Sequence, residues 1–207
     1  KELELVGNES LSFNKINWVM KKTNPKKKWQ TFFRTKKFSK EEFENDKFLL
    51  IDKYNELGYR DAKIIKDSVY ALSDKEVKVY LELEEGQQYY FRNINWIGNT
   101  IYPTAILENL LRIKKGDTYN QKLLSERLTD DMDAVANIYL DNGYLFFHVE
   151  PVESQIIGDS IDITMHIYEG PKATINNISI TGNTRVYENV VRRELRTKPG
   201  DLFSKTD

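Results

Sequence analysis

Apolar and polar positions alternate along this chain in short stretches that recur. Leu3-Glu4-Leu5-Val6-Gly7-Asn8, Ile94-Asn95-Trp96-Ile97-Gly98-Asn99 and Ile178-Ser179-Ile180-Thr181-Gly182-Asn183 each place apolar residues four and two positions ahead of a Gly-Asn pair. That period-2 pattern predicts a strand with one buried face, and Gly-Asn predicts a turn that accepts positive φ. The three glycines stand 91 and 84 residues apart. Two more landmarks recur between them: Gly58-Tyr59 and Gly143-Tyr144, then Glu85-Gly86 and Glu169-Gly170. From Gly58 to Gly86 is 28 residues and from Gly143 to Gly170 is 27, while each Glu-Gly glycine precedes the next Gly-Asn glycine by 12. Ordered landmarks at near-constant spacing mark a true internal repeat.

Within a unit, a short helix follows the Gly-Asn turn. Thr104–Arg112 places Ile106, Leu107, Leu110 and Leu111 inward, and Tyr187–Arg196 does so with Val190, Val191 and Leu195. A longer helix comes next. In the first copy Ser39-Lys40-Glu41-Glu42 is a capping box ahead of Phe43, Leu50, Tyr54 and Leu57, with Gly58 as the left-handed stop. In the second, Leu124, Leu128, Val135 and Tyr139 form the stripe and Gly143 the stop. Two strands close each unit: about Ala62–Tyr70 with Val77, Val79, Leu81 and Leu83, then about Leu145–Ile156 with Ile161, Ile163, Met165 and Ile167. The expected fold class is α+β, in tandem β-α-α-β-β modules with two helices packed on a three-stranded mixed sheet. The modules span 1–87, 88–171 and the opening of a third at 172–207; links of a few residues, at 87–90 and 171–174, leave limited bending at each joint.

Composition narrows the chemistry. The 207 residues carry 31 Lys and Arg against 32 Asp and Glu, a formal charge of −1 that argues against nucleic acid as an obligate partner. The absence of cysteine excludes a disulfide framework and a thiolate nucleophile. No 18-residue apolar run is present to span a bilayer as a helix. The N-terminus has no signal pattern, and Ser204-Lys205-Thr206-Asp207 has the look of a first helical turn, so the chain reads as an excerpt of a longer protein.

The order strand, Gly-Asn, helix, Gly-Asp-x-aromatic, helix, Gly-Tyr, hairpin, Glu-Gly resembles the POTRA domain, the polypeptide-transport-associated module of BamA-type outer-membrane assembly proteins. Gly116-Asp117-Thr118-Tyr119 and Gly200-Asp201-Leu202-Phe203 match the signature between the helices. The first copy departs from it, with 21–37 in its place as an insertion. Val191-Arg192-Arg193-Glu194-Leu195, followed by Gly200, resembles the module that adjoins the barrel, which would make these the third, fourth and start of the last module. The resemblance implies an arm on the periplasmic face of the outer membrane of a Gram-negative bacterium. Its implied partners are unfolded outer-membrane proteins, accessory lipoproteins and the protein's own C-terminal membrane barrel; it implies no cofactor, no metal and no nucleic acid. A related exporter or translocation barrel is the alternative within the same architecture.

Three candidate surfaces follow. The family's binding mode is strand addition at a sheet edge, which points to Ala62, Lys63, Ile64, Ile65 and Lys66, and to Phe147, Val149 and Val152. Pro151 fits an edge strand and not a central one, and Lys63 and Lys66 are residues that protect edges, so a shielded edge that binds nothing is the competing reading. The second surface is the 21–37 segment, with eight Lys or Arg and no acid; Lys26, Lys27, Lys28, Trp29, Phe32 and Phe33 suit an acidic protein, anionic lipid or, in a different functional class, nucleic acid. An insertion packed on its own module is the plainer alternative. The third is Arg192, Arg193 and Glu194, a barrel contact by resemblance and otherwise a solvated helix face. Asp130, Asp131 and Asp133 lack the glycine-punctuated loop of a calcium site. His148 and His166 lack ligand spacing, and no catalytic motif occurs, so the chain is expected not to be an enzyme.

Overall fold

The computed structural model describes residues 2–23, 38–73, 76–182, 185 and 187–206. They form two compact units, one of residues 1–91, 116–121 and 157–160, the other of 92–115, 122–156 and 161–207.

In the first unit, β1 (Glu2–Val6) lies parallel to β3 (Glu76–Glu84), and β2 (Lys63–Ser73) lies antiparallel on the other side of β3. The strand order is β1-β3-β2. Two helices cover one face, α1 (Phe13–Val19) and α2 (Lys40–Glu56). Leu3, Leu11, Ile16, Met20, Phe43, Leu50, Tyr54, Val79, Leu81 and Leu83 close into one buried cluster. As expected, the Ser39 hydroxyl caps α2 by accepting from the Glu42 amide at 3.4 Å.

The recurring landmarks have physical roles. Gly7 adopts φ +82° beside β3, where a Cβ would stand 2.0 Å from the Leu83 carbonyl oxygen; Gly98, at +94°, would place one 2.2 Å from that of Ile167. Only glycine lets the turn cross so close to its neighbour. The following asparagine closes the turn: Asn8 donates to the Leu11 carbonyl at 3.0 Å and Asn99 to that of Tyr102 at 3.1 Å. The glutamate of Glu-Gly reaches back to the same turn. Glu85 accepts from the Ser10 amide at 3.0 and 3.1 Å and hydroxyl at 2.5 Å, and from the Tyr54 hydroxyl at 2.7 Å. Glu169 does so with the Thr100 amide at 2.8 Å and hydroxyl at 2.5 Å, the Ile101 amide at 2.9 Å and Tyr139 at 3.2 Å.

In the second unit's sheet, β4 (Tyr90–Ile97), β6 (Ser160–Tyr168) and β5 (His148–Ile157) run in the order β4-β6-β5. Leu107, Leu111, Leu124, Leu128, Val135, Tyr139, Ile161, Ile163 and Met165 are fully buried. Asp162, on the other face of β6, is buried too, held by the Arg92 guanidinium and by the Asn93 amide at 3.1 Å. The arginine keeps the Asp162 carboxyl below its ordinary range.

Several expectations are corrected. The second unit's long helix is broken: α4 (Gln121–Ser125) runs into a π-helical turn at Glu126–Asp130, the chain turns extended at Asp131 and Ala134, and α5 (Val135–Leu140) resumes. Arg127 explains the break. Its buried guanidinium donates to the Leu110 and Leu111 carbonyls at the end of α3 (Thr104–Leu111), and to Asp131 at 2.8 Å and Asp133 at 2.6 Å. Ile106, expected inward, is 40% exposed. The closing strands start later than expected, since the Ala62 amide donates to the Tyr59 carbonyl in a turn, and the Leu145 and Phe147 amides donate in turns to the Gly143 and Tyr144 carbonyls. In the third copy α6 (Glu188–Glu194) forms, but Val190 and Leu195 are exposed and Val191 only partly buried, because no sheet among the described residues covers them. The alternation at 178–181 forms no strand for the same reason: among the described residues nothing pairs with it. Ser204–Thr206 is not helical; its donors converge instead on the Asp141 carboxylate.

The Gly-Asp-x-aromatic segments are backbone clasps. In the first unit Gly58 accepts from the Tyr89 amide at 2.9 Å, Tyr89 from that of Tyr119 at 2.8 Å, and Phe91 from that of Gly116 at 2.7 Å. In the second, Gly143 accepts from Ala173 at 2.7 Å, Ala173 from Phe203 at 2.9 Å, and Ile175 from Gly200 at 2.7 Å.

Candidate interaction site on the edge strands

β2 and β5 are both outer strands, so each presents one row of backbone N–H and C=O groups that no strand among the described residues pairs. That geometry is what strand addition needs. β2 is long, 11 residues, without proline, and exposed over most of its length. Ile65 sits at a bulge between the Ile64–Leu83 and Lys66–Glu82 pairs and is 56% exposed; Val69, Tyr70 and Leu72 are exposed as well. Beyond the bulge, Lys66 to Ala71 runs in regular register with β3.

Side chains on the predicted edge divide by face. Ala62 is buried in the core just ahead of the strand and Ile64 packs against that core, so neither offers a side chain to a guest. Lys63 pairs with Glu84 across the sheet at 3.1 Å, and the Lys66 ammonium lies 5.9 Å from the Tyr80 ring centroid. Both lysines thereby brace the hairpin. Beside β2, Phe38, Lys40, Phe43, Glu44, Lys47, Asp67, Ser68 and Val69 line a groove of about 400 Å³ between the strand and α2. Lys47 bridges it, bonded to Asp67 and, at 2.9 Å, to Glu44, with its ammonium 5.0 Å from the Phe43 ring centroid. Burial pushes the Lys47 ammonium down, but the Asp67 and Glu44 bonds outweigh it and raise its pKa.

β5 is the plainer edge. Val149 is buried and Phe147 lies ahead of the strand, its ring stacked on Tyr139 with centroids 4.1 Å apart; Val152 alone of the three is exposed. Pro151 interrupts the row of donors. Lys26, Lys27, Lys28, Trp29, Phe32 and Phe33 lie outside the described residues. Arg192 donates to Glu188 at 2.7 Å and to the Ile178 carbonyl at 2.8 Å, while Arg193 and Glu194 pair with each other, exposed. The aspartates at 131 and 133 are occupied by Arg127, and Arg112 also reaches Asp133. Among the described residues no group of three or more His, Asp or Glu is placed to hold a metal ion, and no helix is long and apolar enough to cross a membrane.

Sequence reasoning missed Arg127, the Arg92–Asp162 pair and the groove beside β2. Each joins residues far apart in the chain, and a lone arginine in an amphipathic stretch carries no local signal. The bulge at Ile65 is likewise a product of pairing.

Comparison with known proteins places these observations in a lineage. A family model described as POTRA, surface antigen variable number repeat, matches residues 1–86, 89–170 and 173–207. The outer membrane protein assembly factor BamA of Neisseria meningitidis is 29% identical over 199 residues, covering 94% of this chain and 24% of that protein. A putative outer membrane protein assembly factor of Treponema pallidum is 27% identical over 177 residues, covering 82% and 20%. The chain thus spans about a quarter of the length of the curated relatives it matches. Among solved structures, the POTRA3-5 segment of Haemophilus influenzae BamA superposes with a TM-score of 0.68 at 25% identity, over 99% of this chain and 79% of that one.

Proposed function

Because the chain belongs to the POTRA family, we propose that it is part of the periplasmic arm of an outer-membrane protein assembly factor, and that β2 and β5 receive unfolded outer-membrane proteins and dock accessory subunits by strand addition. The observation that carries this reading is the long, proline-free, exposed outer strand β2 with a groove alongside it. Pairing through backbone groups tolerates many guest sequences, as a general receptor for unfolded chains requires. The groove takes alternate side chains of the guest strand and supplies what selectivity there is. Similarity to the POTRA3-5 segment supports placing the modules as third, fourth and start of the last, ahead of a membrane barrel in the same polypeptide. In that placement Arg192, Arg193 and Glu194 face the barrel.

The test is Ile65→Pro. Proline removes a donor and stiffens the bulge, where Ile65 has no opposing residue on β3. Binding of an unfolded barrel protein falls about fivefold, the worth of roughly one hydrogen bond, with far-UV circular dichroism unchanged. A photocrosslinker at Ile65 captures the guest, and one at the exposed Met132 does not. Undiminished binding by the proline variant, with crosslinks no stronger at Ile65 than at Met132, overturns the reading.

A further inference from the structure

We propose that the groove beside β2 selects aromatic side chains from the guest strand, with Lys47 as the residue that sets the preference; this rests on strand addition at β2 and names what that rim holds best. Asp67 and Val69 pair across the sheet with Leu81 and Val79, both buried beneath the helices, so they belong to the helix-side face of β2. A strand added at the rim lies about 4.8 Å further out, with every second side chain on that same face, alongside the groove. The floor there is apolar. Val69 is 41% exposed, and the Phe38 and Phe43 rings stand tilted at 50° with their centroids 5.8 Å apart. An apolar side chain of the guest covers what the module leaves open to water.

The rim decides which side chain gains most. Its charges, Lys40 and Lys47 against Glu44 and Asp67, sum to zero, and Lys47 answers both acids, bonded to Asp67 and, at 2.9 Å, to Glu44. A guest carboxylate meets two carboxylates there, and a guest ammonium has to compete with Lys47 for them. A neutral side chain meets neither cost. Among neutral side chains a ring has the advantage, because Lys47 keeps 17% of its side chain exposed while its ammonium lies over the Phe43 ring, 5.0 Å from the centroid. Pinned by two carboxylates, Lys47 gives up little freedom when a second ring meets it, and the attraction between cation and ring strengthens as water leaves. Phe38 and Phe43 add tilted ring contacts that an aliphatic chain cannot return. At about 400 Å³ the groove admits a ring. Strands bound for a membrane barrel supply such residues, since they alternate apolar and polar positions and carry aromatic girdles at both interfaces.

The experiment uses the 207-residue chain and labelled alternating peptides, identical on one face and carrying Tyr, Leu or Glu at every position of the other, so that no particular register is needed. Fluorescence anisotropy gives their affinities. The Tyr peptide binds about fivefold more tightly than the Leu peptide, and the Glu peptide binds most weakly. Lys47→Met cuts the preference for Tyr over Leu to below about twofold, and Lys47→Arg, which keeps the cation, retains it. A ratio of affinities is insensitive to general loosening of the module, so it separates a selecting residue from a mere brace between β2 and α2. Ile65→Pro weakens the Tyr and Leu peptides by the same factor and leaves their ratio alone. Equal binding of Tyr and Leu peptides that Ile65→Pro still weakens would overturn the selection and leave strand addition standing. Lys47→Met weakening every peptide by one factor would also overturn it. Binding indifferent to Ile65→Pro, or no binding, would remove both readings together.

Discussion

At Gly7 and Gly98 the backbone turns with positive φ while pressed against a neighbouring carbonyl, and the two demands reinforce each other. Gly98→Ala forces a methyl to 2.2 Å from the Ile167 oxygen in a conformation alanine avoids; a loss of about 3 kcal/mol is expected. Gly158 also has positive φ, at +62°, but open space around it, so Gly158→Ala is expected to cost only about 1 kcal/mol. Urea denaturation of the two variants separates steric from conformational cost. Glu85 makes a second prediction. Burial pushes its carboxyl up, but the bonds from the Ser10 hydroxyl, Tyr54 and the Ser10 amide outweigh that and hold it below the ordinary 4.5. A carboxyl lowered by folding stabilises the native state fully above its unfolded value and loses that contribution as pH falls through the folded one. Glu169 is lowered in the same way. Unfolding free energy should therefore decline as pH drops below 4.5, and Glu85→Gln should flatten the decline; an unchanged slope in the variant would show that Glu85 is not a source. The glycines and glutamates were legible as landmarks because they recur. What the glutamates do was not, since Glu85 meets Ser10 across 75 residues.

The secondary elements show where periodicity informs and where it misleads. The stripe Leu124, Leu128, Val135, Tyr139 is spaced as on one helix, and all four side chains are buried. The spacing of seven between Leu128 and Val135 concealed the break. Met132, which a continuous helix would place near that stripe, is instead 97% exposed. Arg127 holds the break and the end of α3 together, so Arg127→Ala strands two carbonyls and takes a partner from Asp131 and from Asp133, the latter keeping Arg112. A loss of about 2–4 kcal/mol follows, read as a lower thermal midpoint, whereas Arg112→Ala, whose partner Asp133 keeps Arg127, costs less than about 1 kcal/mol. The outer position of β2 and β5 was legible from the family resemblance and, for β5, from Pro151; the bulge at Ile65 was not, because it depends on register with β3. The Gly-Asp-x-aromatic signature was visible as a motif, but its work is backbone pairing with the chain that follows Glu-Gly.

Across the whole chain the repeat is the organising fact, and it fixes where working surfaces arise: each β-α-α-β-β module leaves the strand after its Gly-Tyr at the rim of its sheet. The two rims are not equal, since β5 carries a proline and β2 does not. Charge adds a second asymmetry, with the cations of 10–40 confined to the first module. Hydrogen–deuterium exchange across the chain, with and without an unfolded outer-membrane barrel protein, tests strand addition most directly. Addition at the rim predicts slowed exchange in the peptides covering Lys66–Ala71, a weaker effect in those covering β5, and no change in β3, whose amides already lie between two strands. Protection that leaves β2 untouched while the guest is bound would contradict it.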